Sequence, residues 1–107
     1  MNPQLKKGLC DYCVLALLQR SDSYGYQLIK DLEPVLSLSE STLYPILRRL
    51  EQAACLSTYS REHQGRLRKY YRITPAGQAR LAEARQDWED LQQIYRFILR
   101  PEAEDQQ

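Results

Sequence analysis

The chain has 107 residues, 43% of them hydrophobic and 27% charged, with a formal net charge of +1. Such a chain can build one modest core but not two, and its balance of residues excludes general disorder. No apolar run approaches the ~20 residues a membrane helix requires, and Met1-Asn2-Pro3-Gln4 lacks a charged-then-apolar leader pattern, so a cytoplasmic protein without membrane contact is expected.

Asn2-Pro3 offers a cap followed by a proline at the first turn, and predicts a first helix over about 3–20. From Leu9 to Leu18 this helix is apolar almost all round, so it should be heavily buried. Cys10 and Cys13 on it have CxxC spacing, but the chain holds three cysteines, an odd count that argues against a disulfide framework. A zinc site needs a second ligand pair where only Cys55 and His63 remain, and a redox CxxC normally follows a strand. The pair reads as small apolar residues on a buried helix face, and no metal or cofactor is expected.

Ser21-Asp22-Ser23 breaks the first helix, and a second runs from Tyr24 to about Leu32, ending ahead of Pro34. A third helix starts within Ser37-Leu38-Ser39-Glu40-Ser41. Ser37 and Glu40 have capping-box spacing, whereas a cap at Ser39 would put Glu40 in the first helical position. It extends to about Ala54, with Leu43, Ile46, Leu47, Leu50 and Ala54 on one side. Pro45 removes a hydrogen bond from its interior, so either a kink or a later start is expected.

The hydrophobic period then changes from about 3.6 to 2. Leu56–Glu62 and Leu67–Ile73 read as strands of a β-hairpin around a four-residue loop, His63-Gln64-Gly65-Arg66. Leu67, Tyr71 and Ile73 share one face of the second strand, and Arg68, Tyr70 and Arg72 the other. Thr74-Pro75 is a cap followed by a proline, predicting a last helix to about Leu99, with a frayed acidic tail beyond. The expected fold is α+β and mostly helical: a winged helix-turn-helix over residues 1–74, a C-terminal dimerisation helix over 75–100 and a disordered tail over 101–107.

Charge is distributed unevenly. Residues 1–73 carry 11 Lys and Arg against 7 Asp and Glu, while residues 74–107 carry 4 against 7, so a basic front could face a polyanion. On the third helix, Ser41, Tyr44, Pro45, Arg48 and Gln52 lie opposite the apolar stripe, flanked by Thr42 and Arg49. Hydroxyls near the helix start and an arginine further along suit base edges and phosphates in a major groove. Alone, that face could equally be an ordinary solvated one. The hairpin changes the balance, because Arg61, Arg66, Arg68, Lys69 and Arg72 form a basic wing beside it. Catalysis has no support: His63 is the only histidine, and there is no glycine-rich phosphate loop, HExxH or nucleophile elbow.

Three segments in order, Ser23-Tyr24-Gly25-Tyr26, then Ser39 to Glu51, then Gly65 to Thr74, resemble the PadR family of transcriptional regulators. The resemblance covers about residues 8–99. It implies a winged-helix regulator, usually a repressor, that dimerises through its C-terminal helix and often responds to a small molecule. It implies groove contacts by Ser41, Thr42, Tyr44 and Arg48, and wing contacts by Arg66, Arg68 and Lys69. Where such proteins commonly close the recognition helix with glycine, this chain has Ala54. A left-handed alanine costs about 1 kcal/mol or more relative to glycine, which puts that ending in question, as Gln64 and Leu67 do the wing's turn type.

In the last helix Leu81, Ala84, Trp88, Leu91, Tyr95 and Ile98 alternate steps of three and four, a short heptad seam. It can join two chains or dock on its own domain, and a homodimer is the expectation. Tyr12, Trp88, Leu91, Tyr95 and Ile98 are then interface residues, or line a slot for a small planar aromatic ligand between two facing indoles. The partner expected for the wing and third helix is double-stranded DNA. The competing function is a winged-helix protein-interaction module with no sequence-specific DNA binding.

Overall fold

A computed structural model describes residues 3–100, so the expected tail over 101–107 lies outside the described residues. In chain order the elements are α1 (Pro3–Arg20), β1 (Ser23–Tyr24), α2 (Gly25–Leu32), α3 (Glu40–Gln52), β2 (Leu56–His63), β3 (Arg66–Ile73) and α4 (Pro75–Leu99). This is the winged helix-turn-helix with an added C-terminal helix that the residue pattern implies.

The core is built from helix stripes at helical spacing. Val14, Leu15 and Leu18 of α1 meet Leu28 of α2, Leu43, Leu47 and Leu50 of α3, and Leu81 of α4, all essentially without solvent contact. Each fully buried leucine contributes about 1.5–3 kcal/mol relative to an exposed one. The first turns of α4 therefore belong to the same core as the winged helix.

The sheet has the order β1-β3-β2, antiparallel throughout. β1 is a two-residue strand where the sequence pattern suggested the end of a helix break and the first residue of α2. Ser23 and Tyr24 add themselves to the free edge of β3, opposite Tyr71 and Tyr70, and α2 starts one residue later than expected. The β2–β3 hairpin also departs from expectation. His63 pairs with Arg66, so the loop is the two residues Gln64 and Gly65 rather than four. Both have positive φ, 53° and 80°, as a type I′ turn requires. Glycine adopts this freely; glutamine is an unusual choice for it.

Ser39 is the residue preceding α3, with an extended backbone. Its hydroxyl joins those of Ser41 and Thr42, at 2.9 and 3.1 Å, instead of capping a backbone N–H. The helix runs unbroken through Pro45. At its other end Ala54 is left-handed, φ 61°. The Cys55 N–H donates to the Leu50 carbonyl at 2.9 Å and the Ala54 N–H to the Glu51 carbonyl at 3.0 Å. This pair of bonds is the Schellman ending usually made with glycine, so the glycine-type closure is kept and alanine bears the strain. Ala54→Gly is accordingly expected to stabilise the fold by about 1 kcal/mol, read as a higher urea midpoint at unchanged m-value. An unchanged or lower midpoint would contradict a strained Ala54.

That turn is latched to α4. Thr74 Oγ1 donates to the Ala54 carbonyl at 2.6 Å and accepts from the Gly77 N–H at 3.1 Å, while the Thr74 N–H donates to the Cys55 carbonyl at 3.0 Å. Gly77 admits this approach because any Cβ there would collide with the Cys55 carbonyl oxygen. One threonine thus caps α4 and fixes where α3 ends.

Candidate nucleic-acid interface

The structure places Ser41, Thr42, Tyr44 and Arg48 on the solvent side of α3, opposite the buried Leu43, Ile46, Leu47 and Leu50. Tyr44 does more than face outward. Its ring lies across Gly25 at the start of α2, so close that a Cβ on Gly25 would sit 2.5 Å from the phenolic oxygen. Gly25 therefore lets the start of α2 and the middle of α3 meet. Tyr24, the residue preceding α2, gives it no side-chain cap, so the helix start keeps its weak positive charge. Tyr24, Tyr26, Tyr44, Arg68 and Lys69 surround this helix start in a concavity of about 320 Å³.

Tyr24 and Tyr26 were not among the residues singled out from sequence. The available signal was the Tyr-Gly-Tyr step at a helix start, where glycine admits close approach. The concavity gathers tyrosines and two cations beside a helix start, a set that fits phosphate oxygens.

Strand register divides the three wing residues. Lys69 shares a face with Leu67, Tyr71 and Ile73, toward α3, and its Nζ lies 3.6 Å from Glu51 Oε1. Arg66 and Arg68 belong to the opposite face, with the Arg68 guanidinium 3.9 Å from the centre of the Tyr24 ring. The wing therefore offers cations on both sides of its tip. Beside Lys69, the Tyr71 hydroxyl is held above the usual tyrosine range, first by burial and then by Tyr44 and Glu51, against an opposing effect of Arg48. It stays protonated, a donor as well as an acceptor.

Arg49 is turned inward instead. It donates to Asp11 Oδ1 at 2.7 Å, and Arg80 of α4 lies 3.6 Å from Asp11 Oδ2. Asp11 is 7% exposed, so one buried carboxylate of α1 ties α3 to α4. A lone acid inside the apolar run Leu9–Leu18 was the sequence signal for it. Removing this carboxylate leaves two arginines without their partner. Both keep solvent access, which reduces the penalty. Asp11→Ala is expected to destabilise by about 1–3 kcal/mol, measured by urea unfolding; a change within about 0.5 kcal/mol, the range of neutral surface substitutions, would show that the network carries no stability.

A second, apolar groove of about 440 Å³ runs between α1 and α4. Tyr12 and Trp88 meet in it edge to face, ring centres 5.1 Å apart at 86°, with Cys13, Leu81 and Leu91 also lining it. Trp88 thus has a partner within its own chain. Tyr95 and Ile98 lie further along α4, beyond the groove lining. Cys13 is a poor nucleophile here, because burial, and then Cys10, raise its thiol above the ordinary range. Among the described residues, no three or more His, Cys, Asp or Glu side chains could share a metal ion, and no helix is long and apolar enough to cross a membrane.

The profile of the transcriptional regulator PadR-like family matches residues 14–83, which spans α1 through the first turns of α4. The chain belongs to the PadR-like family. It is 40% identical over 75 residues to the transcriptional regulator Rv3488 of Mycobacterium tuberculosis, covering 70% of this chain and 61% of that protein. The crystal structure of smu.1704 from Streptococcus mutans superposes with a TM-score of 0.74 at 43% identity, over 82% of this chain and 84% of that one. Bacillus subtilis PadR, solved in complex with operator DNA, shares the fold at 21% identity and a TM-score of 0.65, over 70% of this chain and 45% of that one. The family is one of transcriptional regulators.

Proposed function

We propose that two copies of this PadR-like chain pair through α4 and α1 and repress transcription from a pseudo-palindromic operator. Each copy reads one half-site, with Ser41, Thr42, Tyr44 and Arg48 toward the major groove and Arg66, Arg68 and Lys69 on phosphates. The observation that carries this reading is the outer half of α4. From Leu91 to Leu99 its large apolar side chains, Leu91, Ile94, Tyr95, Phe97, Ile98 and Leu99, are 57–68% exposed. A single soluble domain rarely leaves so continuous an apolar stripe in water, and a second copy of the same stripe covers it at least cost in new sequence. Paired α4 helices would set two recognition helices about 34 Å apart, one duplex turn. A titration of a duplex carrying two half-sites tests this, with two chains bound per duplex as the supporting stoichiometry.

We further propose that the groove beside Trp88 takes a planar aromatic effector. The face of the Trp88 indole not engaged by Tyr12 can stack on such a ligand. A ligand changes DNA affinity only by as much as its preference for one arrangement of the pair. Aromatic compounds are expected to quench Trp88 fluorescence and shift operator affinity together. If a broad panel moves neither, and Trp88→Ala only weakens pairing, Trp88 is a packing residue.

A further inference from the structure

The face of the sheet turned away from α3 carries a pattern the recognition helix does not need. Tyr24 of β1, Tyr70 of β3 and Tyr59 of β2 are direct cross-strand neighbours, one residue from each strand in a single row. Tyr59 and Tyr70 are stacked, 5.5 Å apart with 12° between planes, and Tyr24 meets Tyr70 edge-on at 5.5 Å. Arginines lie over these rings: Arg68 at 3.9 Å from Tyr24, Arg72 at 4.9 Å from Tyr59 and Arg61 at 5.9 Å from Tyr70. Arg66, next to the hairpin turn, continues the same face to the wing tip. The strands contribute no acid to it. The carboxylate at its edge, Asp22, accepts from the Tyr59 hydroxyl at 2.8 Å and from Arg72 Nε at 3.1 Å, so it orients one arginine and neutralises only part of the charge.

We propose that this outer sheet face is a second phosphate-binding surface, which grips the duplex flanking the half-site read by α3. The inference rests on the DNA-binding reading and extends it. A guanidinium flat on a ring keeps its N–H edges free while losing little freedom when they bond, the arrangement that suits phosphate oxygens. The ring faces are occupied by one another and by arginines, so bases have nowhere to stack. Arg61, Arg66, Arg68 and Arg72 face outward here against the single carboxylate of Asp22, an excess of positive charge that calls for a polyanion, and a duplex backbone supplies one along its whole length. Along β3 the outward positions recur about every 6.8 Å, the axial rise of two nucleotides on one DNA strand. Arg66 makes the surface continuous with the wing tip, so a duplex bent toward the wing would pass from one to the other.

The probe is a duplex selected by the protein from a random-sequence pool, trimmed to the shortest length that binds and then extended by one helical turn of fixed sequence on each side. Extension is expected to tighten binding and to steepen the dependence of log affinity on log salt by about 0.9 for each phosphate engaged, hence by about 1.8 units for Arg61 and Arg72 of one chain and about 3.6 for a pair of chains. Arg61→Gln/Arg72→Gln should lose that gain while its circular dichroism and thermal midpoint stay those of the wild type, which shows that it folds. The lysine pair at the same positions should retain most of the gain. Arg61→Gln alone, a change at an exposed position, should lose about half. Equal affinity and equal salt slope on short and long duplexes overturn the proposal while leaving α3's role intact; failure to select any duplex would overturn the DNA-binding reading beneath it. Competition by polyglutamate that needs Arg61 and Arg72, with no effect of duplex length, would assign the face to an acidic protein and also overturn it.

Discussion

Leu91→Asp is expected to yield a folded chain that no longer pairs and that loses most of its hold on a two-half-site duplex. Leu91 is 58% exposed in the single chain, so an aspartate there leaves the core centred on Leu15, Leu47 and Leu81 untouched. In a two-fold pair of α4 helices the same side chain meets apolar surface, and the carboxylate would have to desolvate without a cation, at a cost of several kcal/mol. The DNA consequence follows from linkage of two reading heads. Once one half-site is bound, the second head is held at millimolar effective concentration, and avidity of this kind is typically about 10²–10⁴-fold. The variant should sediment as a monomer with unchanged helical circular dichroism, and its duplex affinity should fall toward that of one half-site. A folded wild-type monomer at micromolar concentration, bound one chain per site, would sink the paired arrangement.

What the residue pattern revealed and what it hid have separate physical causes. α4 was legible at its start because proline at a first turn is a local signal, and the helix begins at that proline, Pro75. The apolar stripe of α3 was legible because its period depends only on the helix itself. β1 was not. Two residues have no period, and Ser23-Tyr24 becomes a strand only because β3 offers an unpaired edge. The hairpin turn was misjudged in length because Gln-Gly is not among the pairs that announce a type I′ turn, Asn-Gly and Asp-Gly. Gln64 takes the left-handed conformation because eight paired residues on each strand fix the register around it.

The functional surface divides along the same line. Which side chains α3 turns to solvent follows from angle alone, and Ser41, Thr42, Tyr44 and Arg48 lie where the helical pattern puts them. That Lys69 sits on the opposite face from Arg66 and Arg68 was also readable, from odd and even position along one strand. The bond from Arg49 to Asp11, 38 residues away, and the meeting of Tyr12 with Trp88 depend on tertiary packing, which no local pattern encodes. These long-range contacts share a geography. Asp11 and Tyr12 are neighbours on α1; one holds Arg49 of α3 and Arg80 of α4, and the other packs on Trp88 of α4. α1 thus stands between α3, the proposed DNA-reading helix, and α4 with its exposed apolar stripe. A change in how α4 lies against α1 would be felt at Arg49 through a single buried carboxylate.

Arg48→Ala and Lys69→Ala are expected to separate base reading from phosphate gripping on the proposed surface. Arg48 lies one turn beyond Tyr44 on the outer side of α3 and belongs to the concavity formed with Tyr44, Glu51, Lys69 and Tyr71. If its guanidinium makes a bidentate contact with a guanine edge, Arg48→Ala should cost about 1–3 kcal/mol per half-site, or about 5–150-fold in affinity, and should relax preference at one base position. Lys69→Ala should behave differently. Its ammonium is shared with Glu51 at 3.6 Å, so its contribution is to general attraction. Its removal should weaken all duplexes alike and flatten the salt slope by about 0.9 per phosphate lost. The two variants are compared on the selected duplex and on a scrambled one across a range of salt. A selective loss for Arg48→Ala beside a uniform loss for Lys69→Ala is the expected pair of results. Unchanged affinity of Arg48→Ala for the selected duplex would remove Arg48 from the reading surface and leave Ser41, Thr42 and Tyr44 to supply what specificity α3 has.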